Sequence, residues 1–133
     1  MHYKQNYLKG FKIQKGKIFK MYMNRIHMER SSFSLVFGES PSIKVLDFFL
    51  NFDDFDYPIS FISRETETKW ETVERIVEIL IKKRIIKKTR KLGKAWLYSL
   101  NKESELTKLL IEIDNRISEY FIKKELERQK KIA

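Results

Sequence analysis

The clearest periodicity in the chain lies at Val73, Ile76, Val77 and Leu80, apolar positions three and four residues apart that predict one buried face of a helix. The stretch before it, Thr68-Lys69-Trp70-Glu71, has the Thr-x-x-Glu form of a capping box, which predicts a helix start at Lys69. Upstream, Ser40 and Pro41 make a favourable helix start, and Ile43, Val45, Leu46, Phe49 and Leu50 fill the buried side of a helix ending near Asn51. Between the two, Pro58 opens a shorter helix through Ile59, Ile62 and Ser63 to about Glu65, with Glu67 and Thr68 as the turn. Two strands joined by a loop containing Gly93 follow; alternation puts Trp96, Tyr98 and Leu100 on the core and Ala95, Leu97 and Ser99 outward. After Asn101, the stripe Leu106, Leu109, Leu110, Ile113, Ile117, Tyr120 and Phe121 predicts a helix of about four turns. Fraying is expected beyond Ile122, where the run to Lys131 is nearly all charged.

The first 39 residues read differently. Residues 31 to 39, with Phe33, Leu35, Val36 and Phe37 before Gly38, form an apolar lead-in suited to packing on the core or on a partner. Residues 1 to 30 show no period of either kind and carry eight Lys and Arg against Glu29 alone. All four methionines fall in the first 28 residues, which leaves two readings open: a basic arm that lies along nucleic-acid backbone, or a natural start at Met28, Met21 or Met23.

A short helix, a turn, a longer capped helix and a basic hairpin make the plan of a winged helix-turn-helix. The expected fold is therefore mainly α with a small β-hairpin wing, plus a long C-terminal helix. Three segments follow: an arm at 1–30, the winged unit at 31–101 and the terminal helix at 102–133. Ile59 to Asn101 resembles the archaeal and bacterial winged-helix transcriptional regulators of the broad ArsR and MarR type. Ile59-Ser60-Phe61-Ile62-Ser63-Arg64-Glu65-Thr66 is similar to the family's second helix, and Thr72-Val73-Glu74-Arg75-Ile76-Val77-Glu78-Ile79-Leu80 to its recognition helix. The hairpin Arg90 to Asn101 is similar to its wing, and Leu35 to Pro41 resembles the lead-in of archaeal members. Coverage is residues 33 to 122. Glu67 and Arg84 stand where such regulators often carry Gly; if those positions need positive φ, each substitution costs about 1 kcal/mol.

The resemblance implies double-stranded DNA as partner, with Lys69, Trp70, Thr72 and Arg75 reading the major groove and Arg90, Lys91 and Lys94 gripping the backbone. It identifies neither operator nor small-molecule effector. Charge placement bears on the same point. The chain has 28 Lys and Arg against 18 Asp and Glu, and from Lys82 to Lys94 there are eight basic residues and no acid. A solvated edge hairpin whose lysines oppose aggregation is the alternative reading. Glu71, Glu74 and Glu78 lie near the groove-facing side; pairs Glu71 with Arg75 and Glu78 with Lys82 have the spacing to form within the helix. Trp70 either touches a thymine methyl or sugar, or packs over the start of its own helix.

A terminal helix places only part of a long stripe on a small core, so Leu106, Leu109, Leu110, Ile113, Ile117, Tyr120 and Phe121 are expected to form a homodimer seam; folding back on the domain is the alternative. The competing functional reading is a winged-helix module that binds protein through that stripe and the lead-in strand. RNA binding by the arm is a third. No cysteine is present, and His2 and His27 lie far apart, so neither metal nor cofactor is expected. Asp53, Asp54 and Asp56 lack the arrangement of a calcium loop and read as a solvated acidic loop. No nucleophile with a His partner and no phosphate loop points to an enzyme. With no apolar run of spanning length and no signal core, no membrane association is expected, and the chain is placed in the cytoplasm.

Overall fold

The computed structural model describes residues 31–132, so the arm proposed for residues 1–30 lies outside the described residues. The fold is mainly helical, with a small three-stranded antiparallel sheet and a long C-terminal helix. Two compact units are present. One is Gly38–Ile111; the other contains, of the described residues, 31–37 and 112–132. The division expected at residue 101 thus falls inside the first unit, which takes in the start of the last helix.

The first described helix, α1 (Ser32–Phe37), replaces the strand expected of the lead-in. The Ser31 hydroxyl accepts from the Ser34 N–H at 3.0 Å, an N-cap bond that starts a helix where apolar composition alone suggested extended chain. Phe33 is buried, whereas Val36 and Phe37 are exposed.

Within Gly38–Ile111, helix α2 (Pro41–Asn51) starts as expected: Ser40 accepts from the Ile43 N–H at 3.4 Å, with Pro41 in the first turn. Its buried side is centred on Phe48, which joins Phe49, Phe52, Tyr57 and Phe61 in one aromatic cluster, with ring centroids 4.7 to 6.0 Å away. A two-residue strand, β1 (Tyr57–Pro58), leads straight into α3 (Ile59–Thr66). Then come α4 (Trp70–Lys82), β2 (Ile86–Leu92), β3 (Ala95–Leu100) and α5 (Glu105–Ile132). Val73, Ile76, Val77 and Leu80 all face the core as their spacing predicts.

Helices α3 and α4 end in the same way. Glu67 has φ 50° and Arg84 φ 62°, both left-handed. In each case the next amide reaches back to the carbonyl five residues earlier, Thr68 to Ser63 at 3.1 Å and Ile85 to Leu80 at 2.9 Å. The left-handed residue itself bonds three back, Glu67 to Arg64 and Arg84 to Ile81. This is the Schellman geometry, with a charged residue at the position glycine favours. Around Arg84 the backbone is held from outside: Asn101 Nδ2 donates to the Arg84 carbonyl at 3.1 Å, and the buried Thr107 hydroxyl approaches the same oxygen at 3.4 Å.

The capping box at Thr68 does not form. The Thr68 hydroxyl donates instead to the Thr66 carbonyl at 3.1 Å, and Lys69 is the N-cap without a side-chain bond, so the helix starts one residue later than expected, at Trp70. The left-handed turn at Glu67 uses Thr68 locally, and Glu71 is left in the first turn, where its charge favours the helix dipole.

The sheet has the order β1-β3-β2. β1 pairs Tyr57 with Tyr98 and Pro58 with Leu97, an edge position where a missing N–H is tolerated. Leu92 pairs with Ala95 across a two-residue loop, in which Gly93 supplies the positive φ of a type II′ turn. Between Lys88 and Lys91 the register slips: three steps on β2 oppose two on β3, a bulge. The simple alternation expected for β3 is broken accordingly. Leu97 and Leu100 are buried, while Trp96 is 41% exposed, the reverse of the expected assignment for 96 and 97.

Helix α5 continues to Ile132, well beyond the expected end near Ile122. Its Lys, Glu, Gln and Arg residues are good helix formers, and ion pairs such as Glu125 with Arg128 support them. Thr107, Asp114 and Ser118 are its buried positions. Ser118 shares a hydrogen bond of 2.8 Å with Ser32 and also donates to the Asp114 carbonyl.

Candidate nucleic-acid interface

The N-terminal end of α4 presents Lys69, Trp70 and Arg75 as exposed side chains, with Thr72 half-buried beside them. Burial of Val73, Ile76 and Val77 on the opposite face fixes that orientation. Glu71, Glu74 and Glu78 are exposed as well. Neither the Glu71–Arg75 nor the Glu78–Lys82 pair expected from spacing is among the ion pairs of the described residues. Glu74 and Glu78 instead bear on Tyr98: burial first, then these two carboxylates, push its phenol pKa up.

The hairpin carries its cations outward. Lys87, Lys88, Arg90, Lys91 and Lys94 are all exposed. They are not equivalent. The ammonium of Lys88 lies 4.6 Å from the Trp96 ring centroid and that of Lys91 5.6 Å, so both cations sit over one indole ring. Arg90 is engaged elsewhere: its Nε and Nη2 donate to the two oxygens of Asp56 at 3.0 and 3.2 Å. The Thr89 hydroxyl donates to the same carboxylate at 2.7 Å. Asp56 therefore grips both residues of the bulge, and those bonds, Arg90's first, hold its pKa down at about 2. Sequence reading set Arg90 beside Lys91 and Lys94 as an equal phosphate ligand. A bidentate carboxylate 34 residues away gives it a different surrounding, and nothing in local spacing signals such a contact.

The acidic loop is exposed at Asp54 and Phe55, as a solvated loop would be, but is also tied to Lys102. Asp53 is buried and pairs with Lys102 at 3.5 Å, and Asp54 meets the same ammonium at 3.6 Å. With Arg90 and Lys87 these residues line an open cavity of about 490 Å³ whose carboxylates face cations of the chain itself. Among the described residues no cluster of His, Cys, Asp and Glu is arranged to hold a metal ion. Nor is any helix there long and apolar enough to cross a membrane.

Of the residues expected to form a subunit seam, Leu106, Leu109, Ile113 and Tyr120 are 42 to 57% exposed. Leu110, Ile117 and Phe121 are half-buried.

A second open cavity, of about 410 Å³, separates α4 from the hairpin. Trp70 and Glu74 line it from the helix, Lys94 and Trp96 from the hairpin, and Ser60 and Tyr98 are also in its lining. From the sequence, Trp70 reads as a groove residue or as a cover over its own helix start, and Trp96 as core; in the fold both line this cavity. Set against known proteins, the chain matches no protein-family model, no curated protein and no solved structure.

Proposed function

We propose that the chain is a winged helix-turn-helix protein that binds double-stranded DNA and regulates transcription as a homodimer. In this reading α3 and α4 are the helix-turn-helix, α4 is the recognition helix in the major groove and the β2–β3 hairpin is the wing on the flanking backbone. The observation that carries it is the placement of charge. Eight cations and no acid lie between Lys82 and Lys94, and those on the hairpin are exposed directly beside a helix whose N-terminal end is also exposed. Lys69, Thr72 and Arg75 are the base-facing residues of this proposal, and Lys91 and Lys94 its phosphate contacts. Arg90 reaches a phosphate only by sharing or leaving Asp56.

Duplex affinity measured against salt tests it. Each phosphate neutralised contributes about −0.9 to the slope of log K against log salt, so Lys91→Ala with Lys94→Ala should flatten the slope by about 2 and weaken all sequences alike. Arg90→Ala should change the slope less than either lysine. Folded wild-type protein with no duplex affinity would overturn the reading. It would favour instead a protein-binding module, which the exposed Leu109, Ile113 and Tyr120 of α5 would serve.

A further inference from the structure

From the cavity shared by α4 and the hairpin we infer that this face also takes an unpaired nucleobase, stacked on Trp70 with its phosphates on the hairpin lysines. The inference deepens the reading of the face as a nucleic-acid surface and rests on it. Trp70, 44% exposed, lines the cavity together with Trp96, whose ring carries the ammonium groups of Lys88 and Lys91. A large aromatic face left to solvent in a cleft is a platform for a flat π system, and every base has two such faces. The charges around the cavity select the same occupant. Lys94 lines the cavity, and Lys88 and Lys91 stand over the Trp96 ring, so a polyanion is drawn to the rim. Glu74 lies inside, where a carboxylate repels phosphate but accepts a hydrogen bond from an exocyclic amino group such as cytosine N4. Ser60 and Tyr98 are also in the lining, and their hydroxyls supply donors for ring nitrogens and carbonyls. A base inside and its phosphodiester outside satisfy all of these groups. A base stacked in an intact duplex offers no free face, so the strand that enters is single or locally opened.

The experiment reads the cavity directly, because Trp70 and Trp96 are the only tryptophans in the chain. Full-length protein is titrated with oligo(dC) and oligo(rC) of about twelve nucleotides and, separately, with a hairpin-closed duplex, following tryptophan emission and affinity. The expected result is saturable quenching by a single strand, with the tighter of the two strands naming DNA or RNA as the source. Trp70→Ala should weaken that binding about tenfold and Trp70→Phe much less, since a phenyl face still stacks. Duplex binding without any single-strand quenching overturns the inference and leaves the duplex reading in place. So does a Trp70→Ala protein that binds oligo(dC) as tightly as wild type. Single-strand quenching without duplex affinity does the opposite, sustaining the base pocket and removing the duplex reading.

Discussion

In α4, Val73, Ile76, Val77 and Leu80 are at most 8% exposed; in α5, Leu106, Leu109, Ile113 and Tyr120 are 42 to 57% exposed. Both helices carry an apolar stripe at the same spacing, but α5 buries Thr107, Asp114 and Ser118 instead. Small polar side chains can be buried because their bonds close nearby: Ser118 on the Asp114 carbonyl and on Ser32, Thr107 towards the carbonyls of Arg84 and Ile85. The comparison teaches that periodicity reports which residues share a face, and not which face is covered. An apolar face left in water carries a standing penalty of about 25 cal/mol per Å², which association removes. That is the physical support for the proposed dimer.

The strongest way to break the comparison is to place the same charge on both stripes. Val77→Glu puts a carboxylate among fully buried side chains and should cost several kcal/mol, enough to unfold a small domain. Ile113→Glu should shift the melting temperature little, because the site is 42% exposed, but should turn a wild-type dimer into monomers. Thermal melts and light scattering across concentrations separate the two. A wild-type monomer, or a mutant that stays dimeric, would place any subunit seam elsewhere.

A smaller effect belongs to the hairpin that α4 leads into. Asp56 has its pKa lowered from 3.8 to about 2 in the folded chain, so its bonds to Arg90 and Thr89 contribute stability above pH 4 that is lost as pH falls from about 4 towards 2. Asp56→Asn should remove that part of the acid dependence, which melts taken at steps between pH 5 and pH 2 would record. Retention of the full acid sensitivity in the mutant would assign it to other carboxylates.

The smallest effects concern where helices end. Glu67→Gly and Arg84→Gly should each raise stability by up to about 1 kcal/mol, because glycine accepts the left-handed conformation without the Cβ clash. The gain at Arg84 should survive in Asn101→Ala only in part, since that amide helps to hold the turn. Denaturant midpoints at constant m-value would measure both.

The parts of the structure legible in the sequence are those set by short-range rules. Ser40 and Pro41 start α2, and four apolar residues orient α4, because a cap and a helical period act within a few residues. Glu67 and Arg84 were identified as sites where glycine is missing, and both do have positive φ. Phe48 lies outside the buried set expected from Ile43, Val45, Leu46, Phe49 and Leu50, yet Val45, Phe48, Phe49 and Phe52 have ideal helical spacing and are all buried, while Ile43 and Leu46 are half-buried. β1 is two residues long and leaves no period to read, yet it adds a third strand beside β3. The Asp56 grip on Arg90 and the cavity that Trp70 and Trp96 both line depend on chain segments that tertiary structure alone makes neighbours.

The hydrogen bond between Ser32 and Ser118 joins residues 86 apart in sequence. Everything from Gly38 to Ile111 is a contiguous stretch that forms its own compact unit, and it lies between the two strands of chain that this bond ties together. The contiguous unit needs no residue beyond Ile111 for its internal contacts, whereas α1 gains its Ser118 partner only after all of that stretch has been made. Closing so long a loop from an unfolded chain costs more conformational entropy than closing any loop inside the contiguous unit. The order of assembly is thus written into the connectivity: middle first, then the two flanks together.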